Sequence, residues 1–322
     1  MIATLVWIIL ASTTYAVRPP QPAAAPADSA PFLVAVLRRD GILTPFAAFD
    51  GKDWKAPWPS SLREVEIPID RESVPPKWWG KGGPVDAMTA WIDGRRRGTL
   101  KIGNPTAFRV MCMPQLGLVS DYQATQPAPP QAVQPFPKDG LAVSGDQPVA
   151  PIEILGPASP EWASTAALVR DPFDKAEDAA IGAFTDWSHP VRRNDRHKLP
   201  IEIETLYRAP MDEAGGTAYY VEAVRRYAPG RDDDGCGLVT STDGWLILAS
   251  DRKPATKLAA RVTYCDRRGV MYMLPLGLIT ANGRNYWAFQ LSGYGHEAYL
   301  IAHPRPKAIM QEVFYSPADC RF

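Results

Sequence analysis

From residue 32 onward, apolar residues come in short runs or in strict alternation with polar ones, each stretch cut by a turn pair. Phe32–Leu37 ends at Arg39-Asp40-Gly41, and Ile42–Phe49 ends at Asp50-Gly51. Asp-Gly between two apolar runs is a strong hairpin signal. Leu62–Ile69 alternates as a half-buried strand should, Val85–Ile92 ends at Asp93-Gly94, and Thr99–Ile102 and Thr106–Met113 continue the pattern. Residues 32–122 therefore read as an all-β N-terminal domain.

Residues 123–150 break the rhythm. They are rich in Pro and Gln, with little apolar bulk at their start, and read as a linker or long surface loop. Residues 151–322 read as an α+β C-terminal domain. Helix is expected once, over 159–187. Ser159-Pro160-Glu161 supplies a capping side chain, a proline where no donor is needed and a carboxylate at the positive end of the dipole. Asp171-Pro172 reads as a second start, and Phe173, Ala176, Ala180, Phe184 and Trp187 recur at helical spacing. From Leu199 strands return, punctuated by Asp243-Gly244, Arg268-Gly269 and Asn282-Gly283. This spacing suits an antiparallel meander, as in a sandwich, barrel or partial propeller. The fold expected is β-rich α+β: antiparallel sheets, sandwich- or barrel-like, with one or two helices packed on the C-terminal sheet. A weak echo relates Val36–Gly41, Pro45 and Trp54 to Val262–Gly269, Pro275 and Trp287, and is read mainly as ordinary hairpin chemistry.

Composition changes the picture in two places. The chain of 322 residues carries 35 basic and 35 acidic side chains, for zero net charge. That balance argues against a dedicated nucleic-acid binder. Arg95-Arg96-Arg97 and the group Arg192, Arg193, Arg196 and Lys198 read as solvated turns. The 33 prolines rule out a mostly helical chain, since each fixes φ and removes a donor.

Ile2–Ala11 is apolar, and Thr14-Tyr15-Ala16 resembles a small-x-small cleavage site. Residues 1–16 are thus expected to be a signal peptide and 17–31 a Pro/Ala-rich spacer. The mature protein would be secreted or periplasmic. The basic residues usual before such a segment are missing, so an uncleaved membrane anchor is the alternative. No cysteine precedes Cys112, which argues against a lipid anchor.

Four cysteines in an exported chain permit a disulfide framework. The pairing expected joins Cys320 to Cys236 or Cys265, with Cys112 left as a buried thiol in an apolar run. Trp54, Trp58, Trp78 and Trp79 crowd a Pro/Gly-rich stretch, where exposed rings would stack on a protein or glycan ligand. Asp232-Asp233-Asp234-Gly235 clusters carboxylates on a turn, making Asp232 and Asp234 candidate Ca2+ ligands; the calcium-loop spacing is missing, and a solvated acidic turn is the plainer expectation. No other cofactor is indicated. Glu297 and His303 fall on one face of a strand and form a conceivable acid–base pair, whereas His296 and His303 face opposite sides. No Gly-x-Ser-x-Gly, Cys-x-x-Cys or Gly-rich phosphate loop occurs. The function expected is a non-catalytic binding module with a Trp-rich β surface. The alternatives are an extracytoplasmic hydrolase and an interaction subunit of an envelope assembly.

Overall fold

The computed structural model describes residues 29–320, apart from 63–66, 69, 213–215, 228–236 and 250–252. The expected signal peptide, most of the spacer, Asp232, Asp234 and Cys236 lie outside the described residues.

Strand β1 (Phe32–Arg38) buries all of its residues, and β2 (Ile42–Phe49) nearly all. A run without polar alternation marks a strand covered on both faces. Both are staves of a barrel that also includes β4 (Ala87–Ile92), β5 (Arg95–Val110), β6 (Met113–Ser120) and β7 (Lys138–Val143), with the short β3 (Trp54–Lys55) beside β2. The order β1-β7-β4-β5-β6-β2 closes through the β1–β2 pairing, giving six strands and no free edge among them. Strand β5 is one long strand, where two were expected, and it begins with the exposed Arg95–Arg97. The strand expected over Leu62–Ile69 falls partly outside the described residues, and Leu62, Ile67 and Pro68 are not in a strand.

The expected linker is shorter than its composition implied. Lys138–Val143 sits between β1 and β4 in the barrel wall, so only residues 123–137 form a connector. Asp139-Gly140 looks like a turn but lies within β7. Gly140 has φ +156, and a Cβ there would lie 2.1 Å from the Trp91 carbonyl oxygen. Glycine is needed for close strand approach, not for reversal.

After the barrel come β8 (Val149–Ala150), β9 (Glu153–Leu155), α1 (Pro160–Gly182) and α2 (Arg193–Arg196). Two antiparallel meanders follow: β10 (Glu202–Pro210), β11 (Thr217–Arg226), β12 (Leu238–Leu248) and β13 (Ala255–Tyr264), then β14 (Met271–Ala281), β15 (Arg284–Gly293), β16 (His296–Arg305) and β17 (Ala308–Asp319). Strand β9 extends the first meander and β8 the second, making two five-stranded sheets.

Three shared cores stack these parts. The β14–β17 sheet packs one face on the barrel, through Tyr286, Tyr299, Ile301 and Tyr315. Its other face, with Trp287, Phe289 and Leu300, meets Tyr220, Trp245 and Ile247 of the β10–β13 sheet. The far face of that sheet receives α1 through Val169 and Phe173. The order is barrel, sheet, sheet, helix. The barrel is thus bound to the C-terminal part by a continuous core.

Helix α1 runs unbroken through Pro172, where a second start was expected. Val169, Phe173 and Glu177 lie on one stripe spanning the proline, and all are buried. Packing on the sheet overrides the lost backbone bond. The helix ends at Gly182, so Phe184 and Trp187 leave the expected helical stripe and are partly exposed. The echo between Val36–Trp54 and Val262–Trp287 stops at the sequence. The first segment is a hairpin, whereas Tyr264–Met271 crosses from one sheet to the other.

The disulfide joins Cys112 to Cys320, at a sequence separation of 208, and corrects the expected pairing. Cys112 sits at the tip of the β5–β6 hairpin, where Met111 takes φ 51 and reverses the chain. The apolar run around it is therefore a strand end and a turn, not a continuous buried strand. Cys265 is also disulfide-bonded. A bond of this kind fits an oxidising compartment. Among the described residues, no helix is long and apolar enough to cross a membrane.

Candidate functional site

The tryptophans expected at a binding surface are in the core. Trp54, Trp58, Trp78 and Trp79 are 7%, 2%, 6% and 1% exposed. Pro76–Trp79 forms a 3-10 turn that folds two of the rings inward. Trp58 then stands edge-on to both, at 5.7 Å, and its indole N–H donates to the Leu116 carbonyl at 2.9 Å. Trp54 packs among Phe32, Phe49 and Tyr286. The Pro/Gly-rich loop lays its rings on the barrel and does not present them to solvent.

Glu297 and His303 share a face of β16, as alternation predicts, but they do not meet. Six residues of strand separate them by roughly 20 Å. Glu297 is fully buried, with one oxygen 2.7 Å from Lys138 Nζ and the other accepting from the Tyr299 hydroxyl at 2.5 Å. His303 has its Nε2 2.6 Å from Asp212 Oδ2, while its Nδ1 accepts from Arg305 Nε at 3.3 Å. Both ring nitrogens are engaged, so this histidine has no free nitrogen for a substrate proton. His296 faces the other way and pairs with Asp319.

A denser charged cluster fastens α1 to β11. The buried Arg225 reaches Glu177 and Asp174, each at 2.6 Å, and Arg196 reaches Glu177 at 3.3 Å and Asp178 at 3.1 Å. Asp174, Glu177 and His197 bring ligand-type atoms within 4.8 Å of one another, as a metal would require. The Glu177 oxygens are already taken by Arg225, Arg196 and the Tyr227 hydroxyl. The cluster is a helix clamp neutralised by its own guanidiniums.

Two carboxyl groups escape such neutralisation. Glu222 on β11 and Asp243 on β12 stand directly opposite in the register, on the face buried between the two sheets. Glu222 accepts from the Met273 backbone N–H at 2.7 Å, and Asp243 from the Tyr220 hydroxyl at 3.3 Å. Burial pushes both carboxyls up, Glu222 to about 7, against the lowering effect of the Met273 N–H. Asp243-Gly244 has the signature of a turn, yet β12 runs straight through it. Gly244 is there because a Cβ would lie 2.1 Å from the Lys257 carbonyl oxygen.

The raised Glu222 has a consequence for stability. The folded state holds the proton until about pH 7, whereas the unfolded chain releases it near the ordinary carboxyl value of 4.5. Between these values the folded state binds more protons, so stability falls as pH rises. The loss expected across this window is on the order of 2–3 kcal/mol. Glu222→Gln should flatten it, as read from denaturation midpoints at pH 5 and 8. An equally steep pH dependence in the variant would exclude Glu222 as its source.

A cleft of about 920 Å3 lies at the disulfide. Four separate segments form it: the Met111–Cys112 hairpin tip, residues 131–135 of the connector, the Asp266–Val270 crossover and the β15–β16 turn. The disulfide ties the first segment to the end of β17, and Cys320 N–H donates to the Gly295 carbonyl at 2.8 Å, tying in the fourth. Tyr272 and Tyr294 are 37% and 58% exposed at its wall. Arg267, which also lines it, is held bidentate by Glu204 at 2.5 Å, and Arg268 lies 5.4 Å from the Tyr294 ring centroid. Aromatic faces beside Gln131, Gln134, Asp266 and Arg109 are what a polyhydroxylated ligand needs: rings for its C–H faces, planar polar groups for its hydroxyls. The sequence marks Cys112 only as a buried thiol and marks no residue of this cleft as a ligand contact, because its parts come from four distant segments. Compared with known protein families, curated proteins and solved structures, the chain shows no match.

Proposed function

We propose that the protein is an exported, non-catalytic glycan-binding module whose ligand lies in the cleft walled by Tyr272 and Tyr294. The observation that carries this reading is the cleft itself. At about 920 Å3 it falls in the size range of ligand sites, it is assembled from four loops, and a disulfide braces its floor. The rings that do the stacking are then Tyr272 at the start of β14 and Tyr294 in the β15–β16 turn, not the buried tryptophans. A glycan array followed by calorimetry tests it. Tyr272→Ala with Tyr294→Ala should weaken the selected glycan at least about tenfold, with cooperative melting kept. Unchanged affinity in that variant, or no glycan retained by the wild type, would overturn it.

Export completes the reading. Cleavage after Ala16 gives a mature chain beginning at Val17, and mass spectrometry of the secreted or periplasmic protein should find that terminus. An intact Met1 in the membrane fraction would show an anchor instead.

A further inference from the structure

The two facing sheets are joined along one side by consecutive strands. Strands β8 and β9 are consecutive in the chain and tie the sheets together there, while β13 and β17 are edge strands at the other ends of the same two sheets. Between the two meanders lies a cleft of about 290 Å3, with a smaller space of about 60 Å3 bounded by β13 and the β16–β17 turn. It shares no lining residue with the disulfide cleft.

Its walls are aromatic and aliphatic, and its charged lining residues are Asp243, within the wall, and Lys257, on the exposed edge strand. Tyr220, Trp245 and Phe289 line it, with Trp245 edge-on to Tyr220 at 5.3 Å and to Phe289 at 6.1 Å. Leu300 and Ile309 complete the apolar surface. Asp243 is the carboxylate in the lining, and Glu222 stands behind it across the register. Burial acts on both carboxyls, and no ion pair to either is found among the described residues. Arg261 lowers Asp243 only through space. Lys257 also lines the cleft, but it is exposed on the edge strand.

We propose that this cleft binds a small organic cation, an alkylated ammonium that places its charge at Asp243 and its methyl or methylene groups against Trp245, Tyr220 and Phe289. Aromatic rings and a carboxylate without an ion-pair partner among the described residues both favour such a charge, and the low-dielectric wall strengthens each. A hard metal ion does not fit, since it needs six or more oxygen ligands and the walls are apolar. An anion meets Asp243 and Glu222. A neutral ligand leaves the carboxylate desolvated and unmatched.

The test titrates the full-length protein with choline and with its uncharged carbon isostere, 3,3-dimethylbutanol, by calorimetry and indole fluorescence. Choline should saturate with Kd below about 1 mM and bind at least tenfold tighter than the alcohol. Asp243→Asn, which keeps size and the Tyr220 contact, should weaken choline at least about tenfold, and Lys257→Gln, at an exposed position, should tighten it. Equal binding of choline and the alcohol would show an apolar cavity only and overturn the proposal. So would unchanged choline affinity in Asp243→Asn. If that variant does not fold, Lys257→Gln decides: unchanged affinity for choline overturns the proposal, and tighter binding supports it.

Discussion

Replacing both Cys112 and Cys320 with Ala is expected to cost about 4–5 kcal/mol, the largest loss from any change outside the packed core. The bond closes a loop with a sequence separation of 208, and loop-closure entropy grows with loop length. It also has local work. Cys320 is the last described residue and packs with Ala318 against Phe108 and Val110. Without the bond, the end of β17 and the β5–β6 tip are held by this small cluster and by the Gln115 amide, which donates to the Pro317 carbonyl at 2.5 Å. Those two elements bound the proposed glycan cleft, so ligand affinity should fall along with stability. Denaturation midpoints of the wild type under oxidising and reducing conditions, beside the double-Ala variant, measure the effect. A stability change below about 1 kcal/mol would mean that the reduced, unfolded chain is no freer than the bridged one.

What the sequence made legible, and what it hid, divides along the range of the interactions. Asp93-Gly94 and Asn282-Gly283 were read as hairpin turns and are, with both residues of each pair at positive φ. Asp139-Gly140 and Asp243-Gly244 carry the same type of signature and lie inside strands, because their glycines answer to a neighbouring strand's carbonyl. Nothing local distinguishes the two cases. The partner that forbids a Cβ is 49 residues away for Gly140 (140 − 91) and 13 for Gly244 (257 − 244). The same limit hid β7, and with it the joining of barrel and sheets into one core. Alternation placed Glu297 and His303 correctly on one face, but a period carries no information on separation along the strand. Burial of Trp78 and Trp79 depends on a 3-10 turn that Pro76 starts, and Pro/Gly content does not reveal that such a turn folds its rings inward. Glu222 could have been found. It stands between Tyr220 and Val224 at a position where alternation demands an apolar side chain, and a carboxyl there asks for an explanation.

Lys138→Met alone is expected to cost about 3–5 kcal/mol, because it leaves the buried Glu297 carboxyl without its cationic partner. Changing Glu297→Leu and Tyr299→Phe in the same chain should restore most of that loss. Burial lowers the Lys138 pKa even with Glu297 at 2.7 Å, so desolvation outweighs the attraction. A pair in that balance contributes little net stability over well-packed apolar side chains, yet breaking it is costly. Tyr299→Phe is needed in the set because its hydroxyl otherwise loses the only acceptor shown for it. Denaturant midpoints of the single, double and triple variants give the coupling directly. Should the triple variant prove as unstable as Lys138→Met, the pair would be supplying net stability after all. The more telling result is restoration, since it leaves the placement of the pair to be explained. Lys138 opens barrel strand β7, and Glu297 lies in β16 of the sheet laid against the barrel. Apolar surfaces can slide over one another at little cost, whereas a buried ion pair is satisfied at one register only. The restored variant should then keep its stability while its barrel and sheet lose a fixed alignment, visible as broadened side-chain NMR signals of Phe46, which meets the Tyr299 ring across that boundary at 5.7 Å.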